Sequence, residues 1–213
     1  GWRPALTAGD WRALVGENAR IVLEIGAHDG SDTLMLREAF PAALVYCWEP
    51  ESRAYKRWFE RPALRNDRKI IFAPQAVADF DGTAPWYGSH GDLRGKSNQE
   101  KDFPPAMQQD WDASGSIQKP TGHEGFPQWC HFAEEGRVEV RRLDTWFYCH
   151  PEVNRIDLLW IDAQGAEARI INGAQKALCL TRYVYLEVYD LRLMPEARLC
   201  PVTLYEDQPS LDD

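Results

Sequence analysis

Short runs of β-branched and aromatic residues alternate along this chain with stretches of helical spacing, and that rhythm limits the fold more than any other feature. Residues 21–25, 43–48 and 69–73 are apolar runs closed by glycine, proline or an acidic residue, the pattern of short strands buried in a sheet. Between them, Leu34, Met35, Leu36 and Phe40 mark one helix that stops before Pro41, and Tyr55, Trp58 and Phe59 share one side of another. The rhythm returns late in the chain. Residues 137–143 alternate as a half-buried strand, 156–161 form an apolar strand ending at Asp162, and 183–188 form another. Ala166, Ile170, Ile171, Ala174 and Leu178 recur at helical spacing after Gly165. Strands and helices in alternation with short connections imply right-handed βαβ units, so an α/β fold with a doubly wound, mostly parallel sheet is expected. At 213 residues, one domain spanning 1–213 is the natural size.

The helix ends are also legible. Asp10 is placed to cap an opening helix whose Trp11, Leu14 and Val15 share a face, and Ser31 or Asp32 to cap the next. The middle breaks the rhythm. Residues 74–137 hold Asp81-Gly82, read as a hairpin turn, followed by a polar tract rich in glycine and proline. Residues 85–136 are therefore expected to be a long irregular insertion, an acceptor-side loop or lid. It carries Trp86, Tyr87, Trp111, Phe126 and Trp129, more aromatics than a disordered linker holds. Those rings suit stacking on a sugar or aromatic face, and equally suit anchoring the loop to the core. Past residue 188 there is room for a helix or loop and one more short strand near Val202 to Tyr205, with a frayed end at Asp212-Asp213.

Charge and cysteine content exclude several functions. Asp and Glu number 33 against 24 Lys and Arg, a net charge of -9, and no basic run appears, so nucleic acid and anionic membrane surfaces are not expected partners. No apolar stretch approaches the length of a membrane span. The first residues lack the apolar region of a signal peptide, although Gly1 need not be the native start. Five scattered cysteines without a CxxC pair indicate neither a zinc knuckle nor a disulfide framework, and a cytoplasmic location is expected.

The strongest local signal is Glu24-Ile25-Gly26-Ala27-His28-Asp29-Gly30, a turn between strand and helix at the carboxyl edge of the sheet, where ligands bind in such folds. It is neither the GxGxxG dinucleotide fingerprint nor a P-loop. Glu24 would repel a pyrophosphate but suits a cationic ligand end, and Glu49, at the end of the second strand, is placed to accept two ribose hydroxyls. An acid on each side of the turn and no phosphate-binding lysine suit a nucleoside with a positive amino-acid tail, such as S-adenosylmethionine. The plain alternative is that Gly26 and Gly30 only make a tight turn.

Three stretches then resemble one family, the FkbM-type methyltransferases of the class I S-adenosylmethionine-dependent group. They are Glu24 to Gly30; Trp48-Glu49-Pro50 with Gln75-Ala76-Val77-Ala78-Asp79; and Arg142-Leu143-Asp144 with Ile161-Asp162-Ala163-Gln164-Gly165-Ala166-Glu167, extended by Ile171-Asn172-Gly173-Ala174. The last is similar to the family's Ile-Asp-x-x-Gly-x-Glu signature. The resemblance implies a Rossmann-like fold, Gly26 and its turn (Ala27, His28, Gly30, Ser31) around the methionine part, Glu49 on the ribose, and Gln75-Ala76 near adenine. It favours O-methylation of a small-molecule hydroxyl, on a sugar or secondary metabolite. Trp160 stands where the family often has Lys, and Gln164 where it often has Glu.

A hydroxyl acceptor must lose its proton as it attacks. Asp162 is a candidate general base or metal ligand, or else a helix cap; Glu187, ending the next strand, is a candidate to join it, or else a structural acid. His123 in the polar loop is a third candidate base, with a solvated loop histidine as the plain reading. A divalent cation held by Asp162, Glu187 and a histidine is the less favoured option, because no compact ligand motif supports it. Glu167 reads as structural. Two rivals remain. One is a nucleotide-sugar glycosyltransferase, for which Asp110-Trp111-Asp112 spells a DxD motif. The other is a non-catalytic S-adenosylmethionine-binding protein, suggested by Trp160 and Gln164.

Overall fold

A computed structural model describes residues 6–95, 105–121 and 129–187. His123, Phe126 and everything expected beyond residue 187 lie outside the described residues. A five-stranded, all-parallel sheet runs in the order β3-β2-β1-β7-β8, from β1 (Ile21–Ile25), β2 (Leu44–Trp48), β3 (Ile70–Ala73), β7 (Ile156–Ile161) and β8 (Thr181–Leu186). Around it lie α1 (Ala8–Val15), α2 (Ser31–Ala39), α3 (Ser52–Glu60), α4 (Pro62–Arg65), α6 (Leu143–Tyr148), α7 (Glu167–Asn172) and α8 (Gln175–Cys179). The doubly wound α/β sheet expected from the sequence is present.

Side chains alternate across the sheet, so each strand feeds two cores. Val22, Val45, Cys47, Leu158 and Trp160 pack under α1 and α2 with Trp11, Val15, Leu36 and Phe40. Leu23, Ile25, Trp48, Leu159 and Ile161 face the other way, against Leu143, Ile170 and a second sheet. All six residues of β7 are buried, as a central parallel strand covered on both sides requires.

The second sheet is small and mixed. Its order is β4-β6-β5, with β4 (Ala76–Ala78) parallel to β6 (His131–Arg142) and β5 (Gly82–His90) antiparallel to it. Two expectations are corrected here. Asp81-Gly82 turns the chain but makes no hairpin, because β6 lies between β4 and β5. Much of the segment expected to be irregular is strand. β5 carries Gly82, Pro85 and Gly88 with a register shift between Pro85 and Tyr87, and β6 is largely exposed, so neither shows a clean apolar alternation. A five-residue helix, α5 (Pro105–Gln109), leads into residues 110–121, which lie across β5 through a Tyr87–Ser116 bridge and a bond from Trp111 N–H to the Gly91 carbonyl (2.8 Å).

The helix ends differ from expectation as well. Thr7 caps α1 in a capping box with Asp10, which sits three residues in, and Leu14 is half exposed while Ala8 takes its place in the core. Gly30, not Ser31 or Asp32, occupies the cap of α2 and makes no side-chain cap bond. The single late helix is two, α7 and α8, parted at Gly173, where a Cβ would come within 2.1 Å of the Ala78 carbonyl oxygen. Among the described residues no helix is long and apolar enough to cross a membrane.

Candidate active site

The sheet is wound outward from its middle: β1 leads to β2 and β3 on one side, β7 and β8 lie on the other. A crevice opens at such a switch point, beyond the carboxyl ends of β1 and β7. Here it is a cleft of about 800 Å³ including its mouth, walled by Gly26, Glu49, Gln75 and Asp162 at the strand ends and by Trp86 and Ile117 from the second sheet and the crossing segment. Among the described residues no Lys or Arg lines it; Asp32, Glu49, Glu51, Asp112 and Asp162 do.

The glycines at the turn answer to the chain's own packing. Gly26 has φ 87°, and a Cβ there would stand 1.7 Å from the Asp162 carbonyl oxygen. Gly30 has φ 81°, and a Cβ would strike Leu64 at 2.3 Å and Trp58 at 2.6 Å. The N–H groups of Gly26 and Ala27 both donate to the Trp48 carbonyl (2.9 and 3.0 Å), so the turn is tied to β2. Ala27 is buried in the core beside α2. Ser31 is engaged by Asp29 (Oγ to Oδ1, 2.8 Å) and by Arg61, away from the cleft wall.

Glu24 is fully buried beneath the turn rather than in the cleft. Thr33 Oγ1 and Cys47 Sγ donate to its Oε2 (2.7 and 3.2 Å), Oε1 has no partner, and burial pushes the carboxyl up to about 8. It lies outside the cleft lining, behind the turn. Glu49 does line the cleft. The His28 N–H donates to its Oε2 (2.8 Å) and the Glu51 N–H to its Oε1 (2.7 Å), while burial pushes it up to about 7. Each oxygen keeps a lone pair after its one bond, the acceptor set that a ribose diol needs. Gln75 and Ala76 stand at the same end, beside β3 and β4.

The sequence reading missed the triad that roofs the turn. His28, in left-handed backbone at φ 46°, places Nε2 3.0 Å from Asp112 Oδ1, and Arg57 reaches the same carboxylate at 2.7 and 2.8 Å. Burial raises Asp112, but these two partners outweigh it and hold the carboxyl down at about 2. Burial likewise pulls His28 down, and the Asp112 hydrogen bond and charge outweigh it, so its pKa ends above the ordinary value. The signal was at hand in Asp110-Trp111-Asp112, read only as a metal motif. Both carboxylates already have close side-chain partners, Asp110 in Arg53 (2.9 Å) and His90 (3.1 Å). Among the described residues no group of three His, Cys, Asp or Glu could hold a metal ion.

The far end of the cleft is acidic. Asp162 follows β7, with its N–H on the Ile25 carbonyl (2.9 Å). Glu187, just past β8, has its N–H on the Ile161 carbonyl (3.0 Å), and burial with the charge of Asp162 pushes Glu187 well above the usual carboxylate range. Gln164 Nε2 donates to Asp162 Oδ1 (2.8 Å) and Glu187 Oε2 (3.2 Å). Asp32, from α2, is raised to about 6 by burial and then by Asp162 and Asp29. Glu167 Oε1 accepts from the Ala163 N–H (2.9 Å), the local structural role expected of it. Trp160 points to the opposite face, with its ring 4.0 Å from Tyr185 and 5.3 Å from Trp11. The loop aromatics divide: Trp86 is in the cleft wall, whereas Trp111 and Trp129 pack edge-on against each other at 5.6 Å.

Residues 24–198 match the methyltransferase FkbM domain, and the chain belongs to that family. It is similar to the 2-O-methyltransferase NoeI of Sinorhizobium fredii, with 36% identity over 173 residues. That match spans 81% of this chain and 65% of the relative.

Proposed function

We propose that this domain transfers a methyl group from S-adenosylmethionine to a hydroxyl of a small molecule, a sugar or secondary metabolite. The observation that carries the reading is Glu49: a buried carboxylate at the end of β2, with an unused lone pair on each oxygen, in a cleft lined, among the described residues, by acids and by no Lys or Arg. When bound, S-adenosylmethionine supplies a methyl carbon on a positively charged sulfur that leaves neutral. Glu49 would hold the ribose, Gln75 and Ala76 the adenine side, and the Gly26–His28 turn the amino-acid end. Asp162 would accept the acceptor's hydroxyl proton, with Glu187 as its partner. Asp162 would take that proton as the hydroxyl oxygen takes the methyl group, so that no charge builds on the acceptor. Much of the rate comes from holding the two reacting groups in line. The crossing segment and the part of β5 from Pro85 onward, within 85–136, would cover the acceptor. The name of the relative, a 2-O-methyltransferase, supports oxygen as the methylated atom.

Calorimetric titration with S-adenosylhomocysteine tests this. Wild type should bind at micromolar levels, and Glu49→Ala, folded by circular dichroism, should bind at least about tenfold more weakly. Asp162→Asn should bind normally and lose most turnover. A folded wild type that binds nothing overturns the reading.

A further inference from the structure

Gln164 sits in left-handed backbone at φ 51°, followed by Gly165 at φ 94°. Such a conformation is uncommon for a side chain of this length. It turns the residue into the cleft wall, and the amide there bridges two carboxyls on different strands. Nε2 donates one bond to Asp162 Oδ1 (2.8 Å) and one to Glu187 Oε2 (3.2 Å). Both N–H bonds of that nitrogen are used, and a carboxylate or an alkyl group at this place would lose both. Two carboxyls bridged by one amide stand close enough for the charge of one to disfavour ionising the other. The neighbours sharpen this. Asp162 ends β7, Asp32 comes from α2, Glu167 from α7 and Tyr185 from β8, and their mutual charge raises Asp32, Glu167, Tyr185 and Glu187 after burial. His28, from the turn, opposes the shift on Asp32. The Gln164 amide opposes that on Glu187.

We propose that Gln164 is a positioning residue for methyl transfer, clasping Glu187 to Asp162 so that the pair presents one ionised carboxylate to the acceptor hydroxyl. The proposal rests on Asp162 as the proton acceptor. The proton leaves the acceptor oxygen for that carboxylate as the oxygen–carbon bond forms, and the pair later returns it to water. The amide donates throughout and is not itself protonated.

Two variants test it. Gln164→Leu removes both donors at similar size. Gln164→Asn keeps a residue that tolerates left-handed backbone but falls one methylene short of the second carboxyl. In the cofactor-free protein, carbon-13 NMR of labelled carboxyl groups should show the Glu187 titration moving up by about one pH unit in both variants. In the active enzyme, the acid limb of kcat should move the same way, with kcat at pH 7 down roughly tenfold and KM for S-adenosylmethionine within about twofold. A purely structural role would lower Tm and leave the titration and the limb in place, and that result overturns the proposal. So does a Glu187 titration that moves while the kcat limb does not. If Gln164→Leu does not fold, Gln164→Asn carries the same readouts. Failure of wild type to bind S-adenosylhomocysteine is seen separately, and takes both readings down.

Discussion

Gly26 and Gly16 both have positive φ, 87° and 101°, but only Gly26 has a wall in front of it. Gly16→Ala pays the backbone cost alone, about 1–3 kcal/mol. Gly26→Ala adds a clash with the Asp162 carbonyl, so urea denaturation should show a loss larger by about 1–3 kcal/mol. Glu24 makes a different demand. Folded, it holds its proton up to about 8, whereas its ordinary value is 4.5. Between those values the unfolded chain binds fewer protons than the folded one, so stability falls as pH rises. Thermal melts should show Glu24→Gln gaining on wild type from pH 5 to pH 8, because the amide keeps the Thr33 bond and never ionises. Glu49 contributes the same sign up to about 7 and remains in both proteins.

The elements divide by how each announces itself in sequence. Strands β1, β2 and β7 were legible because burial on both faces leaves a mostly apolar run, broken only by Glu24 in β1 and Asp157 in β7. Strands β5 and β6 were not, because one bears glycine and proline and the other faces solvent along most of its length. The site splits along the same line. Glu49 and Asp162 follow strands, so their place at the crevice could be read; Asp112 is 84 residues from His28, and nothing local marks that contact. The crossing segment depends on it. Asp112 is 2% exposed, and removing it strands Arg57 and His28 beside the turn. Asp112→Ala should cost about 3 kcal/mol by chemical denaturation. It should also speed amide exchange across 110–121 while leaving β1 and β2 protected.

At the scale of the whole molecule, a net charge of -9 and a cleft that five carboxylic acids line act in one direction. Adenosine diphosphate, which shares the nucleoside but carries several negative charges, should not displace S-adenosylhomocysteine at millimolar concentration in a competition titration. Sheet topology has its own outcome. The chain leaves the main sheet after β3, and Ala76–Ala78 and Gly82 both find their partners on the same short end of β6, at Val140 to Arg142. Residues 82–142 thus form an excursion with departure and return pinned at one root. Lengthening a loop whose ends are already fixed is thermodynamically mild, about 0.6 kcal/mol per doubling. Such an excursion behaves as a cassette: it can be exchanged for a relative's, and its tips can drift in length and sequence, while the parallel sheet stays in register. The graft must bring its own fastenings, because Asp112 grips His28 and Trp86 Nε1 donates to Glu51 across the seam. A swapped cassette that keeps those two contacts would change what the cleft accepts and leave what it holds at the turn as it was.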